Sequence, residues 1–266
     1  MTWGVADLTV AYGHTTALQG VTVATPPGRV TALVGGDGAG KTTLLRALAG
    51  VPIRYRGVVR RPAPERITYV PTGTGAISDL TVAENLDFVA RAYRLGDVHD
   101  RADALLARTG LGAFPDRLAG RLSGGMRQKL AVVMGMLPDP EMLVLDEPTT
   151  GVDPVSRSEV WRLIAAAASG GAAVVVASTY LDEAERANEV AVLHQGILLA
   201  SGTPSEVIAA MPGAILDLAS PQDRSRAWPR GGRWRQWQPD GHADGVEPDL
   251  EDAVIVASLA AEEVAP

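Results

Sequence analysis

The sequence predicts an α/β protein with a mainly parallel central sheet covered by helices. Two observations carry this prediction. An apolar run, RVTALV, leads through a glycine-rich loop into the helix-like stretch TTLLRALAG, which ends at Gly50. A second apolar run, MLVL, ends in the adjacent acids Asp146 and Glu147. Wholly apolar strands that lead into helices are typical of a parallel sheet buried on both faces.

The composition places the chain among globular proteins. It has 266 residues, of which 46% are hydrophobic, enough for a sizeable core in one or two domains. It lacks cysteine, which excludes disulfides and thiolate metal sites. The formal net charge of −7 opposes binding to nucleic acid, so no such partner is expected. Because no apolar run would span a bilayer and the first residues lack the order of a signal peptide, we expect a cytoplasmic protein.

The glycine-rich loop predicts a phosphate-binding site. It fits the pattern G-x-x-x-x-G-K-[ST], in which glycines turn backbone N–H groups towards an anion and the next helix adds its positive end. The lysine of the pattern is one of only two in the chain, beside 22 arginines. We expect it to neutralise phosphate oxygens. The predicted contact residues are Gly35, Gly36, Asp37, Gly38, Ala39, Gly40, Lys41, Thr42 and Thr43. The alternative is a glycine-rich turn without a ligand.

The acidic pair after MLVL predicts a magnesium and hydrolysis site. If this strand is central, its end lies beside the phosphate loop, at the carboxyl edge of the sheet. There Asp146 and the Thr42 hydroxyl would hold Mg²⁺, and Glu147 would orient or deprotonate the attacking water. By itself, an acidic pair after a strand is also an ordinary turn or helix cap.

The segment LSGGMRQKL predicts a second phosphate contact. Ser123, Gly124 and Gly125 stand at the start of an apparent helix, where N–H groups and the helix dipole attract anions. A plain helix cap after a flexible loop is the alternative.

Together these motifs resemble the ATP-binding subunit of an ABC transporter. The resemblance covers about residues 3–210 and includes the phosphate loop, the signature LSGGM, the strand LVLDEPT and the turn GVDP, in the family's order. It also includes Tyr12, at the place of the aromatic residue that stacks on adenine. The resemblance implies ATP and Mg²⁺ as ligands and a RecA-like P-loop NTPase core. It further implies an antiparallel N-terminal β region and an ABC-type helical insert.

The resemblance also implies partners and a division of the chain. In this family the signature of one subunit closes over the phosphate loop of another, and the insert couples ATP to a transmembrane permease on the cytoplasmic face. Whether the second ATP-binding subunit is identical or different is left open. The expected division assigns residues 1–71 and 131–212 to the nucleotide-binding core, 72–130 to the insert with the signature, and 213–266 to a C-terminal extension.

Two residues depart from the family pattern. The family has a glutamine after the strand that enters the insert, where this chain has Thr72, and a histidine after a further strand, where it has Thr179. Threonine is shorter than either residue and does not titrate near neutral pH. We therefore expect ATP binding with weakened hydrolysis. A regulatory module that closes on ATP with negligible turnover is the alternative. A soluble cassette ATPase of translation or DNA repair fits less well, because those usually carry two cassettes or a long coiled-coil insert.

The last part of the chain changes in character. It interleaves arginines with Trp228, Trp234 and Trp237, which favours an extension packed on the core or on a partner over a surface that stacks bases. The final EPDLEDAVIVASLAAEE resembles the PTLEDVF ending of cassette subunits in many exporters, with Ala253 and Val254 substituted in that pattern. This resemblance favours export.

Overall fold

The computed structural model describes residues 2–73, 75–241 and 245–264, which form twelve strands and eight α-helices. The strands are β1 (Trp3–Tyr12), β2 (Thr15–Thr25), β3 (Val30–Val34), β4 (Tyr55–Arg60), β5 (Ile67–Val70), β6 (Met142–Asp146), β7 (Ala173–Ala177), β8 (Glu189–His194), β9 (Ile197–Gly202), β10 (Ala214–Leu218), β11 (Ala227–Arg230) and β12 (Arg233–Gln238). The helices are α1 (Lys41–Ala49), α2 (Val82–Ala92), α3 (His99–Ala107), α4 (Gly124–Met136), α5 (Pro154–Ser169), α6 (Leu181–Ala184), α7 (Pro204–Ala209) and α8 (Leu250–Val264).

The central sheet has the strand order β5-β6-β7-β3-β8-β9. Its first five strands are parallel, and β9 closes one edge antiparallel to β8. Every residue of β3, β6 and β7 is buried, because these strands are covered on both faces. The predicted α/β fold with a mainly parallel sheet is therefore confirmed.

A separate antiparallel sheet combines the first two strands with β4, which follows α1 in the chain. Its order is β2-β1-β4, and its apolar residues Leu8, Val10 and Leu18 pack with Leu44 and Leu45 of α1. The N–H of Gln19 on β2 donates to the carbonyl oxygen of Gly196 between β8 and β9, at 2.8 Å. These contacts fix the end of β1, and so Tyr12, beside the start of α1.

The insert contains α2 and α3 and leads into α4. A capping box starts α2, in which the Glu84 N–H donates to Thr81 Oγ1 at 3.2 Å and the Thr81 N–H donates to Glu84 Oε2 at 2.8 Å. The hydrogen bond from the Thr81 N–H lowers the pKa of the Glu84 carboxyl. Helix α4 continues past residue 130, so one unbroken helix crosses the predicted boundary between insert and core. The division of the chain at that residue stays a prediction.

The C-terminal part contains a three-stranded antiparallel sheet, β10-β12-β11, followed by α8. Three residues of α8, Leu250, Ala253 and Val254, belong to the main core. Within this part, Arg226 pairs with Glu263 at 2.6 Å. Sequence reasoning assigned no strand here, because arginine and proline break the apolar alternation that marks a half-buried strand. In the described part of the chain, no helix combines the length and apolar character needed to cross a bilayer.

Candidate nucleotide-binding site

The phosphate loop joins β3 to α1 through residues with unusual backbone angles. Gly35, Gly38 and Gly40 have φ values of 144°, 75° and 103°. A Cβ atom on Gly35 would overlap the carbonyl oxygen of Leu193, and one on Gly40 would lie 2.6 Å from Leu18 Cδ2. Only glycine therefore fits at these two positions, and Gly40 leads directly into α1 without a side-chain cap on its first N–H groups.

Lys41 is buried at the start of α1, with 6% of its surface exposed. Its ammonium donates to the carbonyl oxygens of Gly35, at 2.7 Å, and Gly36, at 3.0 Å. Within the described ranges it forms no ion pair with an acidic side chain, unlike Lys129, whose ammonium lies 2.9 Å from Glu159. A buried cation without a counter-ion favours an anionic ligand, which matches the role predicted for this lysine.

Asp146 ends β6 and is 2% exposed. Strand β7 separates β6 from β3, the strand that leads into α1. Thr42 of α1 nevertheless reaches Asp146, and the Thr42 Oγ1 donates to Asp146 Oδ1 at 3.2 Å. The hydroxyl of Tyr69, on β5, donates to the other oxygen, Oδ2, at 3.1 Å. Burial and the neighbouring carboxylate raise the pKa of the Tyr69 hydroxyl, so it keeps its proton and donates. Sequence reasoning missed Tyr69. The available signal was its hydroxyl, a polar group in the mostly apolar strand ITYV.

The hydroxyl of Thr42 and the carboxylate of Asp146 fit a magnesium ion. Both offer hard oxygen ligands, and Mg²⁺ is usually held by one or two carboxylates together with substrate phosphates and water. The described residues contain no group of three or more acidic, histidine or cysteine side chains placed to hold a metal. These two residues can therefore form a site in which the substrate phosphates supply the remaining ligands of the ion.

A cleft of about 340 Å³ opens over the phosphate loop. It brings together residues from the N-terminal sheet, the loop and the end of β6. Its lining residues are Tyr12, Thr15, Thr16, Ala17, Asp37, Gly38, Ala39, Gly40, Lys41, Thr42, Thr43 and Glu147. Tyr12 is 46% exposed, so its ring is available for stacking.

Glu147 reaches this cleft through a strained backbone. Its φ of 53° lies in the left-handed region that is unfavourable for a residue with a Cβ atom. The conformation is held by its N–H, which donates to the carbonyl oxygen of Ala177 at 3.0 Å. Its Oε2 accepts a hydrogen bond from Thr150 Oγ1 at 3.1 Å. Both bonds fix Glu147 at the mouth of the cleft.

The signature residues do not line this cleft within the described chain. Ser123 caps α4 by accepting a hydrogen bond from the Met126 N–H at 3.3 Å, and Ser123 and Gly124 are exposed. A Cβ atom on Gly125 would overlap the Ser156 hydroxyl of α5. The start of α4 therefore rests on the helix that follows the GVDP turn.

The two threonines that depart from the family pattern are both exposed. Thr72 follows β5 and Thr179 follows β7. Next to Thr179, Tyr180 lies under the guanidinium of Arg157, which is 4.2 Å from the ring centroid. Sequence reasoning missed this contact, because Arg157 is on α5, far from Tyr180 in the sequence.

Comparisons with known proteins agree with this geometry. The family model described as "ABC transporter" matches residues 18–150. The probable multidrug ABC transporter ATP-binding protein YbhF of Escherichia coli K12 is 40% identical over 215 residues, 75% of this chain and 36% of that protein. The daunorubicin/doxorubicin resistance ATP-binding protein DrrA of Streptomyces peucetius is 36% identical over 236 residues, 84% of this chain and 71% of that protein.

A solved structure shares the fold. It is described as an ATP-binding subunit of an ABC transporter, is 27% identical and superimposes with a TM-score of 0.71 over 79% of this chain and 92% of that chain. The predicted resemblance and the P-loop NTPase fold are thereby confirmed. The chain belongs to the ABC transporter family, as an ATP-binding subunit with the ATPase domain of that family.

Proposed function

We propose that the cleft binds Mg-ATP between two ATP-binding subunits and powers transport through a membrane permease. One observation carries this proposal: the buried Lys41, without an acidic partner in the described chain, shares one cleft with the exposed ring of Tyr12 and with Glu147. The aromatic ring suits the base of ATP, and the unpaired cation suits its phosphates. The carboxylate suits the attacking water of an ATPase.

Each residue of the cleft has a role in this proposal. The loop N–H groups and Lys41 bind the phosphates, and the loop glycines allow the backbone to approach them. Thr42 and Asp146 hold Mg²⁺, which offsets phosphate charge when bound. Glu147 orients the attacking water and accepts its proton, and its bond to Ala177 keeps it in place.

Hydrolysis in this subunit is proposed to be slow. Thr72 and Thr179 are exposed and short, so neither matches the reach of the glutamine or histidine that the family has there. Removal of one positioned donor at a charge-developing oxygen costs about 3 kcal/mol, or about a hundredfold in rate. The retained Glu147 supports residual activity. Pairing with a different, competent subunit would compensate for the weakened site.

The head-to-tail dimer is supported by the position of the signature. Ser123 and Gly124 are exposed and lie outside the cleft lining of their own chain. In the proposed dimer these residues cover the ATP bound to the partner, and residues of the partner cover the ATP bound here. ATP thereby joins the two subunits, and its hydrolysis releases them.

The proposed direction is export, at the cytoplasmic face of a membrane. It is supported by the similarity to a multidrug transporter protein and a drug-resistance protein, and by the C-terminal ending EPDLEDA. The insert also exposes Phe88 of α2, with 52% of its surface accessible, and an exposed aromatic ring there fits contact with a permease.

The first experiment is steady-state phosphate release by the purified chain with Mg-ATP, beside Glu147→Gln and an ATP-binding assay. Binding with slow turnover that disappears in the variant supports the proposal. Absence of ATP binding by the wild type contradicts it. Binding with no turnover above the variant favours a regulatory module, which the two threonines also motivate. ATP-dependent association without phosphate release would then identify that second function.

A further inference from the structure

Asp146 is the only acidic residue assigned to the proposed cation site, and both of its oxygens are engaged. Oδ1 lies 3.2 Å from the hydroxyl of Thr42, and Oδ2 lies 3.1 Å from the hydroxyl of Tyr69. The two donors come from different elements, α1 and β5. The carboxylate plane is therefore fixed from two sides.

We propose that Tyr69 is a positioning residue for this site: its hydroxyl holds the Asp146 carboxylate so that Oδ1 stays directed at Thr42, ready to share a cation. This inference rests on the proposed function, because it requires that Thr42 and Asp146 bind Mg²⁺. It assigns Tyr69 no contact with the ion or with ATP.

The phenol is well placed to act as a fixed donor. On β5, Tyr69 is in register with Val144 of β6, two residues before Asp146. Its partly buried ring packs against the apolar cluster that contains Leu48 and Val144. The ring therefore has little freedom to turn away, whereas the terminal torsion of an aspartate is broad and has no sharply preferred angle. The rigid partner thus sets the orientation of the mobile one.

The expected loss of magnesium affinity in Tyr69→Phe follows from the behaviour of residues that orient metal ligands. Loss of such an outer partner typically reduces metal affinity by about 10-fold to 100-fold. A purely structural role for Tyr69, in which it only satisfies a buried carboxylate, predicts a different result. It would lower the stability of the fold without changing the magnesium dependence of nucleotide binding.

Tyr93, the residue after α2, provides a matched control because its hydroxyl bonds to the strand that carries Tyr69. Its hydroxyl donates to the carbonyl oxygen of Ile67, at the start of β5, at 3.2 Å. Tyr93→Phe removes one phenol hydrogen bond in which β5 takes part, as Tyr69→Phe does, but it leaves Asp146 untouched. Both substitutions keep the aromatic ring and its packing.

The experiment measures the affinity of the full chain for a fluorescent ATP analogue, first with a chelator and then over a magnesium titration. In wild type, magnesium should strengthen binding with a defined midpoint. Tyr69→Phe should raise that midpoint by about 10-fold or more, with affinity in the chelator unchanged within about twofold. Tyr93→Phe should leave both values at the wild-type level. Asp146→Asn should remove the magnesium response.

The outcomes distinguish the proposed cation site from the proposed role of Tyr69. Nucleotide binding by wild type without any magnesium response contradicts the proposed cation site itself. A magnesium response that Asp146→Asn removes, but whose midpoint Tyr69→Phe leaves unchanged, overturns only the role of Tyr69. An equal rise in both tyrosine variants also overturns it, because a general loosening of β5 would then explain the effect.

Discussion

Thr149 and Glu183 join the loop after β6 to the short helix after β7. Thr149 Oγ1 donates to Glu183 Oε2 at 2.8 Å, and both residues are buried. The same carboxylate oxygen accepts a hydrogen bond from Ser178 Oγ at 2.7 Å. The segment with Glu147 and the segment with Thr179 are therefore held together by one buried acid.

Glu183→Gln should destabilise the protein. The side chain is fully buried, and its other oxygen lies 3.5 Å from Arg157 Nε, so the amide loses the charge that both hydroxyls and the guanidinium stabilise. We expect a loss of about 2 kcal/mol in the free energy of unfolding, measured by urea denaturation.

Asp182→Asn is the control for this substitution. Asp182 lies 3.6 Å from the same Arg157, but its side chain is 62% exposed. The expected loss is below about 1 kcal/mol. Equal losses of unfolding free energy in Glu183→Gln and Asp182→Asn would mean that the buried hydrogen bonds of Glu183 add no stability of their own.

Lys41→Ala should abolish ATP binding. The substitution removes the buried cation of the phosphate loop, and the other lysine of the chain, Lys129, is paired with Glu159. Calorimetric titration with ATP checks this, with Lys129→Met as the control. Lys129 is also buried but contacts Thr109 and Glu159, so its loss should lower stability and leave ATP affinity unchanged. Wild-type affinity in Lys41→Ala would remove the phosphate-loop assignment.

Glu147→Gln should retain ATP binding and slow phosphate release further. The amide keeps the shape of the side chain and the bond from Thr150, but it is no longer a base. Phosphate release at saturating ATP is the measurement, and the exposed Glu185→Gln serves as the control. An unchanged rate in Glu147→Gln would exclude this residue from catalysis.

Thr179→His and Thr72→Gln should raise turnover if the missing side chains limit hydrolysis. Both positions are exposed, so the larger residues fit without repacking. Each substitution should increase the rate by up to about a hundredfold, the usual contribution of one positioned donor. Thr179→Ser and Thr72→Ser control for the substitution itself. If all four variants hydrolyse ATP at the wild-type rate and bind it normally, some other step is limiting.

The parallel core was predictable because its strands are wholly apolar and lead into recognisable loops. The same holds for the phosphate loop, where Gly35, Gly38 and Gly40 have positive φ angles that other residues do not adopt easily. A local pattern of this kind is visible in sequence because the residues that act together are neighbours in the chain.

Contacts between distant segments were not predictable. Tyr69 meets Asp146 only because β5 lies beside β6, and Glu183 meets Thr149 only because β7 lies beside β6. The C-terminal strands were missed for another reason. Their arginines pair with acids, as Arg233 does with Asp217 and Arg235 with Asp252, so polar residues occupy places where an apolar alternation would mark a strand.

Helix α8 has a consequence for how the molecule unfolds. One of its faces places Leu250 and Val254 in the main core, while Val256 packs with Trp237 of the small C-terminal sheet. Three of the five tryptophans, Trp228, Trp234 and Trp237, lie in β11 and β12. Intrinsic fluorescence therefore reports mainly on that sheet, whereas far-ultraviolet circular dichroism reports on the helices of the whole chain. Because α8 bridges the two regions, both signals should change in a single cooperative transition.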